Sequence, residues 1–194
     1  MPLSAIPGWT MEGFIPPHNP VSPVSVERSP YRVGMVDFIL RYSTSANRRK
    51  ILEGFLNFRQ ALQNIGLIQG FQWVDGSFLE NVEYLEHRSP NDLDVVTFAY
   101  LPNGLDQRGL FNQDVNLFTP PQSKGLYLVD SYFVQLNNVS AEYLIERSRY
   151  WYSMWSHRRS GQWKGYIELD LNPINDQIAL ANLQRANTRE EGDE

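Results

Sequence analysis

The sequence predicts an α/β (α+β) fold, a small mixed β-sheet with flanking helices, preceded by a proline-rich arm. Two long segments, residues 46–66 and 141–159, carry apolar residues at helical spacing, and short apolar runs rich in β-branched and aromatic residues lie between and after them. These runs are residues 70–74, 93–101, 125–136 and 164–171. Because helical and strand segments interleave along the chain, we expect the strands to share one sheet that the helices cover.

Composition places the chain among ordinary globular proteins and excludes several classes of function. It has 194 residues, 42% of them hydrophobic, and no cysteine, which excludes a disulfide framework, a thiolate zinc site and a cysteine nucleophile. The net charge of -5 argues against a protein that mainly coats nucleic acid. The first residues lack the pattern of a signal peptide, and no apolar run approaches the ~20 residues of a membrane span. We therefore expect a cytoplasmic protein without a membrane partner.

Three parts follow one another along the chain. Residues 1–30 hold seven of the twelve prolines, which forbid a helix there, so we expect an extended arm. Residues 31–185 form the single predicted domain, and residues 186–194 are predicted to be a solvated acidic tail. The arm is expected to pack on the domain through its larger apolar residues, Trp9, Phe14 and Ile15.

The helical segments differ in the strength of their signals. The strongest begins after Ser45, a typical N-cap residue, and ends at Gly66. A weaker pattern is predicted to end before Pro120-Pro121, since proline is common after a helix. The weaker segments are residues 78–89, a helix or an ordered loop, residues 105–118, and residues 174–187.

Two aspartates, Asp92 and Asp94, lie at the start of the predicted strand 93–101. Because strand side chains alternate between faces, both carboxylates point the same way and repel each other unless water or a cation neutralises them. Asp130 is the lone acid of the next buried strand and completes a three-carboxylate cluster if the two strands are neighbours. Hard divalent ions such as Mg²⁺ or Mn²⁺ prefer such oxygens. Taken separately, the pair is also typical of a solvated loop followed by a strand cap, and Asp130 of a buried acid paired with an arginine.

The stretch WVDGSF places a Gly-Ser turn directly after the predicted strand 70–74. Gly76 lets the backbone approach a ligand closely, and Ser77 offers a hydroxyl and a backbone N–H to a phosphate group. Most such turns are only turns, so the argument depends on the order of turn, carboxylate pair and third acid. Lys164 is a further candidate for phosphate contact, although the basic residues of that region are equally typical of a solvated helix end.

Several aromatic side chains lie close together in the predicted helix 141–159. Exposed aromatic rings there would stack a nucleobase. Their spacing is nevertheless more typical of core packing than of a base-stacking site. The residues are Tyr150, Trp151, Tyr152 and Trp155.

These motifs resemble the signature of the nucleotidyltransferase superfamily typified by DNA polymerase beta. The chain is also similar, over about residues 13–171, to a little-characterised bacterial nucleotidyltransferase-like group. The matching stretches are GFIPP, NRRKILEGF, WVDGSF, PNDLDVV, VDSYF and HRRSGQWKGYIEL. The resemblance implies that Gly76 and Ser77 bind phosphates and that Asp92 and Asp94 ligate Mg²⁺ or Mn²⁺. It implies that Asp130 is the third acid, which ligates metal and activates the acceptor hydroxyl.

The resemblance leads to the hypothesis of a metal-dependent enzyme that moves an NMP from an NTP to an acceptor, which could be RNA, a protein side chain, a nucleotide or a small molecule. A non-catalytic binding or regulatory protein on the same fold is the alternative, motivated by the acidic segment between Ser77 and Asp92. A metal-dependent phosphodiesterase is a third reading, because three acids also suit attack by water. The Gly-Ser turn disfavours it, since cleaving a diester needs no grip on a terminal phosphate.

Overall fold

Five strands form one mixed sheet in the computed structural model, which describes residues 3–192 and the side chains up to residue 188. The sheet order is β1-β5-β2-β3-β4. β2 runs antiparallel to β5 and β3, whereas β1 pairs with β5 and β3 pairs with β4 in parallel. The predicted fold class, a small mixed sheet with flanking helices, is confirmed. The strands are β1 (Tyr31–Val33), β2 (Gly70–Asp75), β3 (Leu93–Ala99), β4 (Val129–Gln135) and β5 (Ile167–Asp170).

Seven α-helices flank the sheet within the described part of the chain. They are α1 (Met35–Tyr42), α2 (Ala46–Asn64), α3 (Val82–Leu85), α4 (Gln107–Gln113), α5 (Pro120–Tyr127), α6 (Ala141–Trp155) and α7 (Asp176–Gly192). Three short 3₁₀ turns cover Ser77–Leu79, Val115–Leu117 and Pro173–Asn175. Over residues 3–192, no helix has the length and apolar character needed to cross a membrane.

The back face of the sheet, which carries Gln72 and Val74, is closed by four helices. α2 is the central one, and α1, α5 and α7 pack around it. Helix α2 starts where the sequence predicted, because the Ser45 hydroxyl accepts a hydrogen bond from the Arg48 N–H. Leu52 and Phe55 of α2 are fully buried in the core between these helices and the sheet.

The front face, which carries Asp75, Asp94 and Asp130, has a thinner cover. α6 lies over it and makes contact mainly through aromatic rings, with Trp151 and Tyr132 centroids 4.8 Å apart and Trp155 and Tyr166 centroids 6.1 Å apart. Of the fifteen residues of α6, only Trp151 and Trp155 are buried. This face therefore stays partly open to solvent, in contrast to the back face.

Several predicted boundaries were wrong for identifiable reasons. The strand predicted at 125–136 starts only at Val129, because Pro120-Pro121 open helix α5 instead of following a helix. The single helix predicted at 105–118 is two short pieces, α4 and a 3₁₀ turn, separated by the cap residue Asp114. The strand predicted at 164–171 is only β5, and the helix predicted to residue 159 ends at Trp155.

The N-terminal arm and the C-terminal segment can both be compared with the predicted organisation of the chain. The arm packs as predicted: Phe14 and Ile15 are buried, and Trp9 packs against the core. The pattern offered no prediction for β1 and α1, which follow the arm directly. Helix α7 continues to Gly192 through most of the predicted acidic tail, and residues 193–194 lie outside the described part.

Candidate functional site

Three aspartates lie in one row across the front face. Asp75 of β2 pairs in register with Asp94 of β3, and Asp94 pairs in register with Asp130 of β4. Since paired residues of neighbouring strands point to the same side of a sheet, the three carboxylates share the front face. Asp92 lies two residues before Asp94, just outside the start of β3. The sheet thus gathers four acids at the end of three adjacent strands.

The three acids predicted as metal ligands come together. Asp92, Asp94 and Asp130 each offer a carboxylate oxygen, and these oxygens all lie within 4.8 Å of one another. All three residues are partly buried, and the Oδ1 atom of Asp130 is buried without a hydrogen-bond partner. Buried acceptors are normally satisfied, so an unpaired oxygen in this position suits a cation. The donor set fits Mg²⁺ or Mn²⁺, which take several carboxylate oxygens and keep room for phosphate.

Electrostatics point in the same direction. Burial, together with the neighbouring charges of Asp75, Asp92 and Asp130, raises the pKa of Asp94 to about 7. Burial also raises the pKa of Asp130. Lys124 of α5 binds Asp92 directly and carries part of the compensating charge. Acids that repel one another at neutral pH are stabilised when a divalent cation binds between them.

The Gly-Ser turn lies against this cluster. Gly76 has φ 90° and ψ -176°, a conformation open only to glycine. A Cβ atom at this position would overlap the Asp94 Oδ2 atom, so the backbone passes as close to the carboxylate as it can. Ser77, which is partly exposed, starts a 3₁₀ turn immediately afterwards. The turn therefore brings the Gly76 backbone against the Asp94 carboxylate, while phosphate binding by Gly76 and Ser77 stays a prediction.

The segment after the turn is fixed by a buried arginine. Arg48 of α2 is fully buried and donates to the carbonyl oxygens of Phe78 and Glu80, each at 2.6 Å. It also donates to both carboxylate oxygens of Glu83, at 2.6 and 2.8 Å. Trp9 of the arm donates to the Leu79 carbonyl at 2.7 Å. These contacts fix the position of the segment that follows the turn. The Arg48 guanidinium also compensates the charge of Glu83, so this segment stays folded although it is rich in acidic residues.

Lys164 lies beside the turn instead of in the open part of the site. Its ammonium binds Asp75 in a buried ion pair and lies 3.8 Å from Glu80. Arg158 binds the same Glu80 at 2.9 Å. Contact between Lys164 and a nucleotide stays a prediction, because this ammonium is engaged with a carboxylate of the chain.

Asp75 is a site residue that the sequence analysis missed. It is buried, and that burial raises its pKa to about 6 against the opposing influence of Lys164. The available signal was its place at the end of a β-rich run, directly before the Gly-Ser turn.

The aromatic residues of α6 divide into two groups. Trp151 and Trp155 are buried and belong to the core, as their spacing favoured. Tyr150 and Tyr152 remain 48% and 40% exposed. Tyr152 lines a groove of about 740 Å³ between α6 and the front face, together with Trp73 and Arg149. The groove lies on the same face as the acids.

Residues 7–170 match the family of unknown function DUF6932, and the chain belongs to this family. No curated protein and no solved structure matches the chain. The family description carries no activity, so the function must be argued from the residues of the site.

Proposed function

We propose that this DUF6932 protein is a metal-dependent nucleotidyltransferase that moves an NMP from an NTP to an acceptor hydroxyl. The observation that carries the proposal is the strand register that aligns Asp94 with Asp130, with Asp92 beside them, next to the Gly76-Ser77 turn. A phosphate-binding turn and a divalent-ion site in contact are the two parts that transfer from a metal-bound NTP requires. A cytoplasmic location accompanies the proposal as an expectation.

Each residue has a chemical task in this proposal. Asp92, Asp94 and Asp130 would hold Mg²⁺ or Mn²⁺, which when bound neutralises charge that develops on the phosphoryl oxygens. Ser77 and the backbone of the turn would hold the terminal phosphates and orient the α-phosphorus. Asp130, whose Oδ1 is unpaired, would accept the proton of the acceptor hydroxyl. A bond then forms between the acceptor oxygen and the α-phosphorus, the bond from that phosphorus to the bridging oxygen breaks, and pyrophosphate leaves.

A non-catalytic binding protein is the second candidate, and one observation favours it. Lys124 binds Asp92 and Lys164 binds Asp75, so two of the four acids already have a cation of the chain. In an inert protein this compensation would be permanent, and no divalent ion would be required. Transfer separates the two candidates, because the transferase releases pyrophosphate from an NTP, whereas an inert protein on the same fold transfers no NMP from any nucleotide.

The test is calorimetric titration of ATP, GTP, CTP and UTP into the protein with and without Mg²⁺. We expect at least one NTP to bind only with Mg²⁺, and the Asp94→Asn variant to lose that binding. Asp170→Asn is the matched control, because Asp170 is an acid of β5 outside the cluster whose side chain is 52% exposed. Binding of no NTP by folded wild type, or equal binding by Asp94→Asn, would overturn the proposal.

A further inference from the structure

Asp75 and Asp94 are cross-strand partners at the edge of the proposed site, and Lys164 is buried beside Asp75. The Lys164 ammonium binds Asp75 directly. Its positive charge opposes the rise in pKa of both Asp75 and Asp94, so its field acts on both carboxylates. Without it, two acids would face each other with no fixed cation on the β2 side of the cluster.

The position of Lys164 is set by backbone contacts on both sides. Its N–H donates to the Ser156 carbonyl at the end of α6, at 2.8 Å, and the next residue, Gly165, donates to the Ile15 carbonyl of the arm, also at 2.8 Å. The side chain is 5% exposed. The ammonium is therefore a built-in part of the fold, unlike Lys124, whose side chain is 49% exposed.

We propose that Lys164 is a positioning residue that acts as an internal cation between Asp75 and the proposed metal site. It confines the nucleotide-free protein to one divalent ion, held by Asp92, Asp94 and Asp130, and keeps Asp75 from ligating a second. The inference rests on the metal site of the proposed function.

The physical reason is competition between cations for the same carboxylates. An ammonium is a compact positive charge, and it satisfies Asp75 as a metal ion would, without drawing Asp94 away from its other partners. A neutral side chain of the same length leaves Asp75 buried without its cation, which is unfavourable whether the carboxyl stays charged or takes up a proton. A second divalent ion can then be held between Asp75, which has lost its ammonium partner, and its cross-strand partner Asp94, which would be shared with the first ion.

The experiment measures the number of Mn²⁺ ions bound, by calorimetry and native mass spectrometry, together with the melting temperature, in wild type and Lys164→Met. We expect one ion in wild type and two in Lys164→Met. Without metal, Lys164→Met should melt about 6–12 °C lower, because a broken buried ion pair is costly in a chain of this size. Saturating Mn²⁺ should raise its melting temperature more than that of wild type, since a ligand that binds the folded state stabilises it.

Two further variants distinguish positioning from general damage. Asp75→Asn/Lys164→Met removes both charges, so we expect it to regain most of the melting temperature and to bind one ion. Lys124→Met removes the other lysine of the cluster, and we expect tighter binding but still one ion. If Lys164→Met binds one ion like wild type, the inference is overturned while the metal site stands. If wild type binds no ion, both the inference and the proposed function are overturned.

Discussion

Two cross-strand pairs of the same two strands, β2 and β3, have opposite electrostatic characters. On the back face, the Gln72 amide donates to the Thr97 hydroxyl at 2.9 Å, and Arg59 donates to Gln72 at 2.6 Å and to Asp176 at 2.8 Å. On the front face, the corresponding pair is Asp75 and Asp94, two carboxylates. One pair is neutral and satisfied, whereas the other carries like charges.

The difference separates a part of the molecule that stabilises the fold from a part whose like charges lower its stability, which in the proposed function a bound metal ion compensates. Buried polar groups that complete one another's hydrogen bonds stabilise a fold and specify its packing. Like charges held together lower its stability, and they persist where a bound ligand compensates them. The back face is covered by four helices, while on the front face, which carries the acids, only two residues of the covering helix α6 are buried.

The largest effect is expected on the back face. Arg59→Met leaves Asp176 buried without its partner and removes a donor from Gln72, so we expect a loss of about 3–5 kcal/mol in the free energy of unfolding. Urea denaturation measures it. The double variant Arg59→Met/Asp176→Asn should recover part of the loss, and Mg²⁺ should rescue neither variant. A loss below about 1 kcal/mol would contradict the claim that this network stabilises the fold.

The next largest effect is expected at the Gly-Ser turn, where one substitution should change both the stability of the fold and its stabilisation by Mn²⁺. Gly76→Ala forces a side chain into a glycine-only conformation and pushes against the Asp94 carboxylate, so we expect a loss of about 2–3 kcal/mol together with the loss of stabilisation by Mn²⁺. Thermal melting with and without Mn²⁺ measures both. Gly104→Ala is the matched control, because Gly104 also has positive φ but has open space around it. The control should lose some stability and keep its response to Mn²⁺; an unchanged response in Gly76→Ala would refute the contact.

On the front face, we expect a substitution to raise the free energy of unfolding instead of lowering it. Asp94→Asn removes one of the repelling charges, and the rise of the Asp94 pKa from 3.8 to about 7 corresponds to roughly 4 kcal/mol at about 1.4 kcal/mol for each unit. Because a buried asparagine keeps a desolvation cost of its own, we expect the metal-free protein to gain only about 1–2 kcal/mol of this at pH 8. The same variant should no longer be stabilised by Mg²⁺. Chemical denaturation with and without the ion gives both quantities. A loss of stability in the metal-free variant would show that Asp94 is a structural residue like Asp176.

The smallest effect is the dependence of this gain on pH. A carboxyl whose pKa is raised to about 7 in the folded protein holds its proton more tightly there than in the unfolded chain. Its contribution to stability is therefore present at low pH and is lost as the pH rises from about 4 to about 7. We expect the melting temperature of Asp94→Asn relative to wild type to rise between pH 5 and pH 8, by about 2–4 °C per kcal/mol. A difference that stays constant or falls with pH would contradict the raised pKa.

The sequence allowed the front-face acids to be predicted but not their surroundings. Alternation along a strand assigns Asp92 and Asp94 to one side, but Asp130 joins them only if the two strands are neighbours, which local rules do not decide. The parallel pairing of β3 with β4 meets that condition. Asp75 required the antiparallel register of β2 with β3. Lys164 required the return of the chain after α6, which fixes a side chain to a residue 89 positions away. Such contacts depend on tertiary packing, which local patterns do not encode.

Proline gave the clearest ambiguity in the fold. Pro120-Pro121 suits the end of one helix and the first turn of another equally well, because a missing N–H costs nothing in either place. Because the two prolines were assigned to the end of a helix, the strand was predicted to start at residue 125. The chain instead forms α5 there, and this helix places Lys124 beside Asp92. The ambiguity of the two prolines is therefore the reason that neither α5 nor the contact of Lys124 with the acids was predicted.

The most direct test of the central claim is a crystal of the protein soaked with MnCl₂ and a non-hydrolysable NTP analogue, read by anomalous diffraction. We predict an anomalous peak bounded by Asp92, Asp94 and Asp130, with the terminal phosphates of the analogue at Gly76 and Ser77. An empty carboxylate cluster at saturating Mn²⁺, or a nucleotide bound away from the turn, would contradict it.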